Sequence, residues 1–120
     1  MREITTHKTN ECNSQITILA IDGPGNGGAD HAYSICVPGG DPGDVRINFQ
    51  NGPIKEAGVN GLTHEVLIAI VIDRLQSFQK GEFACRENAL ALTKLDESAH
   101  WLNHRTQQRL ARGVEGTHAK

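Results

Sequence analysis

Apolar and polar residues alternate in the first half of the chain and follow a helical period in the second half. Three short runs are strand-like: the run at 16–21 is apolar and β-branched, and the runs at 32–37 and 45–50 alternate between two faces, the last strictly between apolar and polar positions. Each run lies too close to the next for a parallel crossover, so we predict three antiparallel strands. The polar, unpatterned residues 1–14 are expected to form a loosely held tail.

Loops rich in glycine and proline separate these strands. Gly23–Gly28 and Pro38–Gly43 contain too much of both residues for a helix or a central strand. The first loop could cradle a phosphate, but the Gly-Lys-Ser/Thr of a Walker A motif does not follow it, and the next element is a strand. A hairpin loop is therefore the favoured interpretation.

The second half of the chain predicts two helices with a short connection. Thr63 is suited to cap the first, which runs to about Gln79 and is followed by a glycine. The second is predicted from about Arg86 to Arg112, again before a glycine. At 120 residues the chain has the length of one domain, 1–120.

These elements predict the fold class α+β. A small N-terminal antiparallel β unit occupies about 15–50, and a C-terminal helical hairpin occupies about 62–112. The run Val66–Ile72 is apolar all the way round the first helix, so one covering layer is not enough. A buried strand would also suit this run, but Leu75 and Phe78 continue the helical period. We expect a second subunit to complete the cover.

The second helix has a core stripe and an unusual opposite face. The stripe consists of Leu92, Leu95, Ala99, Leu102, Thr106 and Leu110. Trp101, the only tryptophan, points away from it, and Arg105, Arg109 and Arg112 are assigned to the flank beside Trp101. A subunit interface with a solvated basic stripe is one interpretation. The other is a pocket for a small anion with an aromatic part, and the two are compatible.

Charge and composition exclude some classes of protein. The formal net charge is −2, which excludes a generally basic nucleic-acid binder, although residues 100–120 carry four basic side chains and one acidic. No run approaches the ~18 apolar residues of a membrane span, and the start lacks a signal peptide's apolar stretch. The three cysteines are expected to be free thiols in a reducing compartment.

Nothing in the sequence argues for catalysis. His100 and His104 have the i, i+4 spacing that can hold zinc, but the sequence places no third ligand, so ordinary polar positions are favoured. Asp96 and Glu97 are adjacent and do not face each other as an acid–base pair. We predict a binding protein without metal or cofactor.

Four strings of residues carry a resemblance to a known family. They are Phe49–Gly61, Ala69–Gln79, Glu87–Thr106 and Arg109–His118. From about Ile16 to its end, the chain resembles the phage Thoeris anti-defence proteins, the first-described family of cyclic-nucleotide sponges. The family fold is a small β core with a C-terminal helical hairpin.

The resemblance implies a non-enzymatic viral protein that acts in the host bacterial cytoplasm. Such proteins bind glyco-cyclic ADP-ribose isomers made by bacterial TIR-domain enzymes, and this keeps the Thoeris effector inactive. Members form homodimers, and some assemble three dimers into a hexamer. Some also bind cyclic di- and trinucleotides of the CBASS system at separate sites. The competing classes are an enzyme that degrades the same signal and a phage structural or nucleic-acid-binding dimer.

The resemblance also implies residues. The family pocket uses a phenylalanine near the end of the first long helix, which is Phe78 here, with Phe83 as the competing choice. It uses an asparagine at the start of the next helix, which is Asn88, and arginines in the last turns. The resulting ligand-binding set is Phe78, Asn88, Trp101, Arg105 and Arg109, with the arginines on the pyrophosphate and Phe78 or Trp101 on the base. The candidates for the second site are Arg112, Gly113, Val114, Glu115, Gly116 and Thr117.

Overall fold

The chain divides into two compact units. A computed structural model describes residues 1–41 and 45–120. The first unit comprises residues 1–53 and 57–62, and the second comprises residues 54–56 and 63–120.

A four-stranded antiparallel sheet forms the first unit, in the order β1-β2-β3-β4. The strands are β1 (Arg2–Ile4), β2 (Thr17–Ala20), β3 (Ala32–Cys36) and β4 (Val45–Asn48). The predicted α+β class and the three antiparallel strands are confirmed. Gly23–Gly28 is the hairpin loop between β2 and β3, with a 3-10 turn at Asn26–Gly28. The loop predicted at 38–43 follows β3, and its residues 42 and 43 lie outside the described residues.

The strand register collects the apolar side chains on one face of the sheet. Ile18 pairs with Ile35, and Ile35 pairs with Val45. Along a strand, alternate residues share a face, so these positions line up with Ala20 and Ile47. Ala20 is the only fully buried hydrophobic residue in the described part of the chain.

The N-terminal residues are structured, and the expectation of a loose tail is wrong. β1 pairs with β2 along its whole length. The Arg2 guanidinium donates to the Asp30 carboxylate at 3.1 Å, and Asp30 is only 8% exposed. A one-turn helix, α1 (Glu11–Ser14), follows and is capped by Asn10. A three-residue strand is too short to show a pattern, and it is stabilised by partners distant in sequence.

The Asp22 carboxylate closes the loop between β2 and β3. It accepts hydrogen bonds from the His31 backbone N–H at 3.0 and 3.2 Å. Burial raises the pKa of Asp22, but hydrogen bonds from the backbone N–H groups of His31 and Ala32 outweigh it, and the pKa lies below its ordinary value. The carboxylate is therefore ionised, and closes the loop, at neutral pH.

Amide side chains shape the distinctive string Phe49–Gly61. The Gln50 side chain donates to the carbonyls of Gly52 and Gly58 at 3.0 and 2.7 Å and accepts from the Asn60 backbone N–H at 2.9 Å. The Asn60 side chain in turn bonds both backbone groups of Asn51, at 2.7 and 2.8 Å. The string therefore has a structural role, because its side chains satisfy backbone groups that no strand partner reaches.

The helices follow the predicted pattern closely. They are α2 (Ile54–Ala57), α3 (His64–Gln79) and α4 (Arg86–Ala111). Thr63 caps α3 as predicted, since its hydroxyl accepts from the Val66 backbone N–H at 3.3 Å. Val66–Ile72 is helical, not a strand. None of the helices among residues 1–41 and 45–120 is long and apolar enough to cross a membrane.

Candidate ligand-binding site on the helical hairpin

The Gln79 amide joins α3 to α4 at their connected end. Its Oε1 accepts from the Cys85 backbone N–H at 3.0 Å, and its Nε2 donates to the Cys85 carbonyl at 3.0 Å. Cys85 also caps α4, because its Sγ accepts from the Asn88 backbone N–H at 3.4 Å. These contacts fix Phe78, near the end of α3, and the half-buried Asn88, near the start of α4, at the same end of the hairpin.

Phe78 is partly exposed and carries a cationic partner. The guanidinium of Arg74 lies 5.2 Å from the centroid of the Phe78 ring, within the range of a cation–π contact. Both residues border an open depression of about 520 Å³ on one side of α3, lined by Ile70, Asp73, Arg74, Ser77 and Phe78. Arg74 is absent from the predicted site, although its i, i+4 spacing from Phe78 is a signal of such a contact. The competing Phe83 lies 70% exposed in the connection.

The contact stripe of α4 is confirmed for most of its length. Leu92, Leu95, Ala99, Leu102 and Thr106 are all half-buried. Leu110, however, is 54% exposed, and the buried residue of the last turn is Arg109. Seven residues fall about 20° short of two full helical turns, so the contact face drifts around a long helix. The drift carries Leu110 out of the stripe and brings Arg109 into it.

Trp101 and Arg105 lie exposed on the opposite side of α4. Trp101 is 59% exposed, and its ring meets the rings of His100 and His104 edge-on, with centroids 5.6 and 5.5 Å away. Arg105 is one turn further along and about 40° around the helix from Trp101. Its guanidinium has no hydrogen bond or ion pair with any described residue. An aromatic face and a free guanidinium therefore point outward together.

Arg109 does not lie free beside Trp101, and that expectation is corrected. It is 7% exposed, and its Nε donates to the Glu115 carboxylate at 3.0 Å. Its other nitrogens donate to the carbonyls of Val114, Thr117 and Ala119 at 2.9, 3.1 and 2.6 Å. A guanidinium has five N–H groups, and four are used here. Arg109 is therefore occupied by the chain itself and is not available to a pyrophosphate in this arrangement.

The candidates for the second site, Arg112–Thr117, begin at the end of α4 and continue into what we call the C-terminal strap, residues 114–119. Gly113, at φ +72°, ends α4 with a Schellman turn, in which the Val114 backbone N–H donates to the Arg109 carbonyl at 3.0 Å. The strap is also fixed to α2, since the Lys55 backbone N–H donates to the Gly116 carbonyl at 3.2 Å. Arg112 stays exposed at the end of α4. Much of the strap's backbone is therefore used in internal contacts.

The predicted ligand residues do not form one cluster within a chain. Asn88 and Arg105 are 17 residues apart on one continuous helix, which is about 26 Å at 1.5 Å per residue. Phe78 lies at the Asn88 end. A small cyclic nucleotide is much shorter than this span, so one molecule cannot touch both groups of one chain.

The comparison with known families covers the hairpin. A model of the family described as "Acb2/Tad1, hairpin domain" matches residues 41–107, more than half of the chain. The chain belongs to this family. A protein named Thoeris anti-defense 1, from Bacillus phage SBSphiJ7, is 62% identical over 74 residues, which are 62% of this chain and 52% of that protein. The chain thus spans about half the length of this relative.

The Acb2/Tad1 hairpin match separates the predicted residues into two groups. Phe78, Asn88, Trp101 and Arg105 lie inside the matched range, whereas Arg109 and the C-terminal strap lie beyond its end at residue 107. Phe78, Trp101 and Arg105 are exposed and Asn88 is half-buried, whereas Arg109, beyond the match, is buried. Among the residues that the structure describes, no group of three or more His, Cys, Asp or Glu side chains could hold a metal ion.

Proposed function

We propose that the chain is a phage anti-defence protein that binds and sequesters the cyclic ADP-ribose signal of Thoeris defence without degrading it. Family membership and the name of the phage relative support the anti-defence role. The sequence resemblance supports the ligand class. The host bacterial cytoplasm is the expected location, because a trap must act where the signal is made.

The observation that carries this proposal is the exposed pair Trp101 and Arg105. An indole of which more than half is exposed offers a stacking surface for a base. A guanidinium with all its donors free can hold two phosphate oxygens at once. Both features serve binding. Holding a ligand intact requires complementarity to its ground state, not to a transition state.

The pocket is proposed to form between two copies of the chain. Since about 26 Å separates Asn88 from Arg105 within one α4, Phe78 and Asn88 of one copy are completed by Trp101 and Arg105 of another. The apolar surface of α3 supports the pairing, because Val66, Ile70, Val71 and Phe78 are each 39–60% exposed. A homodimer, or a hexamer built from three dimers, would cover it.

The C-terminal segment is the proposed place of a second site for cyclic di- or trinucleotides. Only Arg112 offers a free guanidinium there, since Arg109 is occupied. The two competing functions remain testable alternatives. An enzyme that acts on the same signal would release a chemically altered nucleotide. A phage structural or nucleic-acid-binding dimer would shift duplex DNA in a gel.

The oligomeric state is the first prediction. Because a site shared between copies needs at least two chains, light scattering at micromolar protein should give at least twice the chain mass of 13.0 kDa. A hexamer is compatible with this prediction. A mass near that of one chain would contradict the shared pocket.

A mixed-subunit experiment tests the pocket itself. Asn88→Ala and Arg105→Ala should each weaken binding strongly, since each variant lacks one half of every pocket. When the two chains are refolded together, random pairing makes half of the dimers mixed, and each mixed dimer has one intact pocket. Isothermal titration should then recover about a quarter of the wild-type sites. A pocket built within one chain would recover none.

A further inference from the structure

His100 and His104 have different surroundings from His7, His31 and His118. The rings of His7 and His31 bond backbone carbonyl oxygens at 2.7 and 2.9 Å, and His118 pairs with the Glu56 carboxylate at 3.2 Å. His100 and His104 are both exposed and have no hydrogen bond or ion pair with any described residue. Their nitrogen lone pairs are therefore open to an outside ligand.

The geometry of the pair suits one shared ion. The rings stand one helical turn apart, with centroids 6.4 Å apart and planes inclined by 24°. Bonds of ~2.0–2.1 Å from two imidazole nitrogens to a tetrahedral ion place the ring centroids about 5 Å apart. Rotating the exposed side chains by a modest angle closes this gap of about 1 Å.

We propose that His100 and His104 form an accessory site for a divalent transition-metal ion on the outer face of α4. Two imidazoles without a thiolate or a third protein ligand give a weak site with open coordination positions, filled by water. Its expected preference follows the general order for nitrogen ligands, with Cu²⁺ strongest and Ni²⁺ and Zn²⁺ below it. The site is not a permanent metal centre, because its occupancy depends on the concentration of metal ions around the protein.

Trp101 reports on this site directly. It is the only tryptophan, and its ring lies 5.6 and 5.5 Å from the two imidazole rings. A paramagnetic ion held by both imidazoles should quench its fluorescence. Ni²⁺ is the suitable probe, because the thiols of Cys12, Cys36 and Cys85 are not joined in disulfides and would react with Cu²⁺.

The experiment titrates the tag-free chain of residues 1–120 with NiCl₂ and follows Trp101 fluorescence. We expect saturable quenching at one ion per chain, reversed by EDTA, with the apparent affinity lowered about tenfold or more in His100→Ala or His104→Ala. His118→Ala should behave as the wild type. In His104→Gln/Gln108→His the histidine count is kept but the second imidazole lies about 12 Å from the first, and tight quenching should again be lost.

Circular dichroism should show that each variant is folded, because both histidines are exposed and replacing them removes no buried contact. Quenching that persists unchanged in the i, i+8 variant, or in both alanine variants, would overturn the proposal. Absence of saturable quenching in the wild type would overturn it as well.

Discussion

Arg105→Ala should weaken capture of the cyclic ADP-ribose signal about ten- to a hundredfold while leaving the protein folded. Arg105 has no hydrogen bond or ion pair with described residues, so its removal costs the fold little. Its loss removes charge-assisted bonds to the pyrophosphate, worth about 1.5–3 kcal/mol, which lowers affinity about ten- to a hundredfold. Isothermal titration measures the affinity, and thermal unfolding verifies the fold.

Two further variants give this prediction its controls. Arg105→Lys should restore affinity only in part, because an ammonium lacks the planar fork of donors. Arg109→Ala should instead lower the free energy of unfolding by about 3 kcal/mol, since it removes the partner of Glu115 and four hydrogen bonds. A folded Arg105→Ala protein with wild-type affinity would refute the role assigned to Arg105.

Gly61→Ala should strongly destabilise the fold. An added Cβ would lie 2.4 Å from the Phe49 carbonyl carbon and 2.7 Å from the Asn48 carbonyl oxygen. Both are backbone atoms of the segment that pairs with Leu62, so no flexible side chain can move aside. We expect a loss of about 3 kcal/mol or more, seen as a fall of at least about 10 °C in the unfolding midpoint.

Gly81→Ala is the matched control for Gly61→Ala. Its added Cβ would meet only the Phe78 carbonyl oxygen, at the ordinary distance of 3.9 Å, and its φ is not positive. The midpoint of this variant should stay within a few degrees of the wild type. Equal midpoints for the two variants would show that the close approach at Gly61 does not limit stability.

Local signals explain what the sequence could predict. An apolar, β-branched run marked β2, and alternation of apolar and polar residues marked β3 and β4. The cap at Thr63 marked the start of α3 within one residue. Each of these signals lies within a few residues of the structure it determines. The long apolar run of α3 was equally informative, since it indicated a helix that keeps apolar side chains such as Ile70 exposed within one chain.

Contacts distant in sequence explain what it could not predict. β1 depends on β2 and on the pair Arg2 and Asp30, 28 residues apart, which no local pattern reveals. Gln50 belonged to the predicted strand 45–50 and Asn60 to no predicted element, yet their side chains hold the loop together. In both cases a partner's position is fixed only by the folded chain.

In the candidate site, too, the sequence predicted residue types but not how the folded chain places them. The residue types of Phe78, Asn88, Trp101 and Arg105 indicated binding, but not that about 26 Å of helix separates the first two from Arg105. Arg109 was misplaced for a geometric reason. It lies only about 20° from Leu102 around the helix and about 80° from Trp101, so it belongs to the buried stripe.

The central claim is that the protein traps its signal and does not destroy it. The most direct test titrates the protein into a fixed pool of cyclic ADP-ribose signal, measures activation of the Thoeris effector, and then heats the mixture to release bound nucleotide. For a stoichiometric trap, effector activity should fall linearly to a break near one signal per site, and heating should restore it in full. A trace of protein that clears the whole pool with time, with nothing restored on heating, would contradict it.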